Sequence, residues 1–170
     1  MSDNNGHSPV KASVEIPVKT AIQPPVKTPV KTIMGLDFGV AKMGIALGNT
    51  LTQTATPLMQ FPMSNGVPDW QKLLALIAEW QVNSIVVGIP TNMDGTASEM
   101  GNRAKKFVRR LNHQLEMAHI PCPIIMADER LTSREAKNLA WEYGLIKSEK
   151  EPIDSIASAI LLGSWLRENY

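Results

Sequence analysis

"IMGLDFGVAKMGIAL", Ile33 to Leu47, decides how the chain is read. Two short apolar runs, Ile33 to Phe38 and Met43 to Leu47, are separated by a turn that contains Gly39. That layout predicts a β-hairpin, since glycine supplies the tight bend between paired strands. One carboxylate, Asp37, stands at the end of the first run, on the alternation that also carries Ile33 and Gly35. By itself it has two readings. It can cap the turn as an Asx motif, or it can be a reactive group held at a strand end.

Outward from the hairpin, a third strand is expected near Thr56 to Phe61. In "PDWQKLLALIAEW", Trp70, Leu73, Leu74 and Ile77 fall on one helical stripe that ends at "QVNS". "SIVVGIP", Ser84 to Pro90, is a continuous apolar run of the kind found in a strand covered on both faces. Thr96 and Glu99 form a capping-box pattern ahead of a long helix whose buried stripe is Phe107, Val108, Leu111 and Leu115. "CPIIMADER" reads as a further strand with an acidic end. Helical segments follow at Ser133 to Trp141 and Pro152 to Arg167. Three antiparallel strands feeding βαβ units make an α/β domain, a mixed five-stranded sheet with helices on both faces.

The 170 residues, 44% of them hydrophobic, suffice for one compact domain. Residues 1–32 are expected to stand outside it as a disordered Pro/Lys-rich tail, leaving 33–170 as the folded domain. "PVKT" occurs at Pro17, Pro25 and Pro29, with "PVKA" at Pro9, and such spaced prolines break helices and strand ladders alike. The tail holds four lysines against Asp3 and Glu15, net +2, and the remainder holds 13 basic and 14 acidic residues, net −1. A near-neutral domain does not advertise nucleic-acid binding by net charge, so any such role rests on local clusters. One cysteine cannot form an internal disulfide, and the three histidines lack ligand spacing, which argues against a structural zinc and for a reducing cytoplasm. No apolar run reaches the roughly 18 to 20 residues that span a bilayer, so no membrane partner is expected.

Carboxylates recur where pattern alone predicts apolar or turn residues. Besides Asp37 there are Asp128 and Glu129 in "ADERLTS", and Asp154 in the first turn of the apolar helix "PIDSIASAILLGSWL". Each has an ordinary structural reading: a turn, a helix-entry loop with Arg130 as local partner, and a favourable charge at a helix N-terminus. Acids from separate strands and a late helix that converge on one sheet edge would instead form an oxygen-rich pocket for Mg²⁺ or Mn²⁺. Two such ions roughly 4 Å apart can activate water and stabilise a leaving oxygen in phosphodiester hydrolysis. A basic face fits the same chemistry. Arg103, Lys106 and Arg110 sit at helical spacing, with Lys105 and Arg109 beside them. A solvated helix face would look the same. Asp94 and Gly95 suggest a turn before a helix N-terminus, where backbone N–H groups could meet phosphate.

"LDFGVAKMGIALG", "IVVGIPTNMDGT", "DERLTS" and "DSIASAILL", in this order, resemble the four motif blocks of the YqgF (RuvX) family over Ile33 to Tyr170. The resemblance implies an RNase H-like fold and a cytoplasmic nuclease that matures the 5′ end of pre-16S rRNA, in a family once grouped with Holliday-junction resolvases. It matches Asp37 to the first-strand acid, Asp128 and Glu129 to the acidic pair, and Asp154 to the acid opening the last helix. Gly88 and Pro90 match its GxP loop, with Arg130 and Lys42 as phosphate contacts. The strand expected beside the first, "SIVVGIP", holds no acid. With strands about 4.8 Å apart, the acidic pair lies nearly 10 Å from Asp37, and Glu129 reaches back more easily than Asp128.

The resulting expectation is a metal-dependent RNA endonuclease with Asp37, Glu129 and Asp154 as metal ligands and Asp128 as a further catalytic candidate. The alternatives are a resolvase-like nuclease for branched DNA and a non-catalytic nucleic-acid or ribosome-binding module. An actin-like ATP-binding fold also places an acid and a glycine in a hairpin, but needs two copies of the sheet.

Overall fold

The computed structural model describes residues 28–129, 142 and 153–170. The expected tail, apart from residues 28–32, the helix at Ser133 to Trp141 and Arg130 lie outside the described residues. The strands are β1 (Thr32–Asp37), β2 (Lys42–Asn49), β3 (Ala55–Ser64), β4 (Val67–Pro68), β5 (Ser84–Ile89) and β6 (Ile124–Asp128). The helices are α1 (Trp70–Glu79), α2 (Glu99–Met117) and α3 (Ile153–Asn169).

These strands form one mixed sheet in the order β4-β3-β2-β1-β5-β6. The hairpin expected from Ile33 to Leu47 is present as the antiparallel β1–β2 pair. β5 and β6 then run parallel to β1, as connections through helices require. The sheet has six strands, not five. The sixth is the two-residue β4, joined to β3 through Asn65 and Gly66, whose φ angles are 49° and 79°. Both residues at positive φ make this a primed hairpin turn, for which Asn-Gly is the favoured pair.

Alternation on β1 divides the core. Met34, Leu36 and Phe38 join Leu73 and Ile77 of α1 and Phe107, Leu111 and Leu115 of α2 on one face. Ile33, with Ala46 and Val86, packs against Ala159, Leu162 and Leu166 of α3 on the other. Every residue of β5 is buried, as expected for a strand covered on both sides. Each fully buried large apolar side chain stabilises the fold by about 1.5–3 kcal/mol relative to exposure.

Two local expectations shift. Trp70 and Leu74 are only partly buried, so the stripe of α1 narrows to Leu73 and Ile77. The cap of α2 is Ser98, not Thr96: Ser98 Oγ accepts from Gly101 N at 2.9 Å and donates to the Pro90 carbonyl at 2.6 Å. Thr96 is engaged one turn earlier, donating from N and Oγ1 to Asp94 Oδ1 at 2.9 and 2.6 Å. The sequence T-A-S-E offers two hydroxyls, and the one able to reach Pro90 fixes where the helix starts.

Candidate functional site

Asp37 ends β1 on the face turned toward α3. Its neighbours in register are glycines on both sides, Gly44 of β2 and Gly88 of β5. At Gly44 a side chain would strike backbone, and at Gly88 it would displace neighbouring side chains. A Cβ on Gly44 would collide with the backbone carbonyl of Asp154, and one on Gly88 would stand 2.9 Å from Glu129 Oε1 and 2.7 Å from Leu161 Cδ2. The first turn of α3 therefore sits over Gly44, and the Glu129 carboxylate folds back over Gly88. Asp37 is thus flanked in register by two glycines, one covered by the Asp154 backbone and the other by the Glu129 carboxylate.

The acidic pair divides between the faces. Ala127 pairs with Gly88 and packs on the α3 side, so Asp128 points to the opposite face, where it is exposed and accepts from Thr91 Oγ1 at 3.2 Å. Glu129, one residue further, returns to the side of Asp37, and its N–H donates to the Ile89 carbonyl at 3.2 Å. Strand alternation thus separates Asp128 from the other three acids.

Asp154 is half-buried, and its Oδ2 meets Lys42 Nζ at 3.2 Å and Gln60 Nε2 at 3.3 Å. Gln60 pairs with Gly44 across β2–β3, so one row runs Gln60, Gly44, Asp37, Gly88 over four strands. Lys42, expected as a phosphate contact, is salt-bridged to this acid. The pair is largely exposed on the lysine side and contributes little to stability. Among the described residues no three His, Cys, Asp or Glu side chains are grouped so that they could hold a metal ion.

The sequence does not announce Gln60, because its partner is 94 residues away. Ser158, one helical turn after Asp154, is fully buried, and its Oγ lies beside Gly35 without a hydrogen-bond partner. Only the smallness of the residues at this spacing hinted that α3 presses so closely on the sheet.

On the opposite face, three of the five basic residues of α2 line one cleft of about 250 Å³ beside Phe38, Asn65 and Gly66. They are Arg103, Lys106 and Arg110. Arg103 donates to Asn65 Oδ1 at 2.6 Å, and the Arg110 guanidinium lies 5.6 Å from the Trp70 ring centroid.

A family model described as "Holliday junction resolvase", RuvX, matches residues 31–168. A protein of Psychrobacter sp. named "Putative pre-16S rRNA nuclease" is 52% identical over 140 residues, covering 81% of this chain and 79% of its own. A protein of the same name from Saccharophagus degradans is 43% identical over 140 residues, covering 82% and 95%. Among solved structures, Thermus thermophilus RuvC in complex with a Holliday junction substrate superposes with a TM-score of 0.51 at 13% identity, over 81% of this chain and 94% of that one. That likeness bears on the fold, which is RNase H-like. The ordered blocks around Asp37, Gly88, Glu129 and Asp154 thus coincide with a match over nearly the whole described domain, and the chain belongs to the RuvX family.

Proposed function

We propose that this chain is a divalent-metal-dependent endonuclease that hydrolyses RNA phosphodiester bonds in maturing the 5′ end of pre-16S rRNA in the cytoplasm. The observation that supports the reading is the row at Asp37, with glycines on both flanks, the Glu129 carboxylate over Gly88 and the backbone of Asp154 over Gly44. The donor set fits a hard cation, since all three side chains offer carboxylate oxygens. Asp37, Glu129 and Asp154 would hold Mg²⁺ or Mn²⁺, which when bound supplies charge neutralisation at the phosphate and acidifies water. The protein's own part is placement. Gly44 and Gly88 admit the acids, Gln60 orients the Asp154 carboxylate, and Lys42 keeps its charge compensated until a cation competes for it. Exposed basic residues of α2, with Lys42 and Arg130, supply contacts to the phosphate backbone.

The name of the family model favours a second substrate, branched DNA. Cleavage of a pre-16S rRNA 5′ fragment and of a synthetic four-way junction, each with Mg²⁺ or Mn²⁺, separates the two. Metal-dependent cleavage of the RNA alone is the expected result. Cleavage of the junction alone would reassign the substrate, and cleavage of neither, with binding retained, would leave a non-catalytic RNA-binding module.

A further inference from the structure

We propose that the cleft between α2 and the Asn65–Gly66 turn seats one backbone phosphate of the RNA strand, on the sheet face opposite the acids. The inference rests on the nuclease reading for the identity of the strand, but not for the seat itself.

Three cations meet at this cleft, and among the described residues none of them is paired with a carboxylate. The side chains lining it include no acid. Three like charges around a small concavity repel one another, and an anion is what relieves that repulsion. A solvated helix face would let such side chains spread into water. Here Arg103 is half-buried, with its guanidinium held by Asn65, and Arg110 is laid over Trp70. Prearranged guanidinium groups suit phosphate oxygens better than mobile ammonium groups do.

The seat is also tied to the acids. Gly66 N donates to the Val40 carbonyl at 2.8 Å, and Met63 N to the Ala41 carbonyl at 2.9 Å, so the turn that holds Arg103 is fastened to the bend that follows Asp37. Phe38, the residue after Asp37, turns to the other face and lines the cleft. A strand with one phosphate at the acids and another in the cleft must therefore pass around the end of the β1–β2 hairpin. Only an oligonucleotide of several residues can occupy both.

The test is binding of labelled single-stranded RNA to the full chain with Ca²⁺ in place of Mg²⁺ or Mn²⁺, under conditions checked on a gel to give no cleavage, using oligonucleotides of about four and about twelve nucleotides across a salt series. Arg103→Ala should weaken the longer RNA about fivefold near 0.1 M salt and reduce its salt slope by about 0.7, the value for one phosphate contact. Lys106→Ala, at an exposed position, should act in the same direction without altering the melting temperature. The double variant should lose no more slope than Arg103→Ala alone, because both cations serve one phosphate. The shorter RNA should bind all proteins equally. Additive slope losses, equal losses on both lengths, or unchanged binding would each overturn the seat. So would stabilisation by inorganic phosphate, dependent on Arg103, in a chain whose RNA binding ignores that residue. Absence of cleavage by wild type in the assay with Mg²⁺ or Mn²⁺ would instead count against the nuclease reading and leave the seat standing.

Discussion

The Glu129 carboxylate occupies the space that a side chain at Gly88 would need, with Oε1 2.9 Å from the position of a Cβ there. Gly88 is in turn the register neighbour of Asp37. An acid two strands away thereby reaches over the intervening strand, and the absence of a carboxylate from β5 ceases to be an obstacle. A glycine at this point leaves room for a carboxylate that the adjacent strand does not itself carry.

Gly88→Ala should consequently disable the site out of proportion to its size. The added methyl meets Glu129 and the Leu161 methyl 2.7 Å away, so one of them must move. Both are ends of flexible side chains that can shift, so the cost in stability should stay at the low end of the about 1–3 kcal/mol of overpacking. Metal-dependent cleavage should fall by at least about tenfold, the equivalent of 1.4 kcal/mol in the barrier. Parallel thermal melts and activity assays check both parts. Wild-type activity in a destabilised variant would separate Glu129 from the chemistry.

Asp37→Asn and Asp128→Asn should differ sharply, because alternation sends the two side chains to opposite faces of the sheet. Both substitutions keep the shape and remove the charge. Loss of Asp37 should abolish metal-dependent cleavage to below about one per cent, of the order expected when electrostatic stabilisation of a transition state is removed. Asp128→Asn, which retains an oxygen for Thr91 Oγ1, should change activity by less than about threefold, well under 1.4 kcal/mol. Single-turnover rates on the RNA fragment measure both. Equal losses would place Asp128 in the machinery after all.

Ser98→Ala should loosen the junction between the GIP loop and α2. It removes the cap on Gly101 N and the donor to Pro90 O together. A lost N-cap costs about 1 kcal/mol, which in a chain of this size lowers the melting temperature by about 2–4 °C. Thr96→Ala, by contrast, should leave helix content unchanged, since that hydroxyl serves the Asp94 turn. Circular dichroism melts distinguish the two.

Local pattern made much of this architecture legible. The hairpin, the buried β5 and the long α2 follow from runs and periods within a few residues of each other. Asn65-Gly66 was a readable hairpin signal too, but β4 is so short that no apolar run announced it. α3 is apolar around most of its circumference, and only the small residues Ala157 and Ser158, one turn after Asp154, marked the side that packs closely on the sheet. Which acids share a face was half legible: alternation separates Asp128 from Glu129, but the side toward Asp37 depends on the register of β6 against β5. Gln60 and the Lys42 bridge to Asp154 were not legible, because those contacts exist only after α3 has docked on β2.

Cys122 gives a pH dependence that is independent of the site. It is buried at the edge of the α2 core, and burial raises its thiol from the ordinary 9.0 to about 11. The folded chain therefore holds the proton more tightly than the unfolded one. Its contribution to stability is fully present below pH 9, and is lost as pH rises from about 9 toward 11, where only the unfolded thiol ionises freely. Denaturant midpoints should fall over that interval in wild type, and fall less in Cys122→Ala once its lower baseline is subtracted. The thiolate is also the nucleophile, so iodoacetamide at pH 8 should modify the native chain at least about tenfold more slowly than the urea-unfolded chain. Equal rates in the two states would show that the thiol is open to solvent.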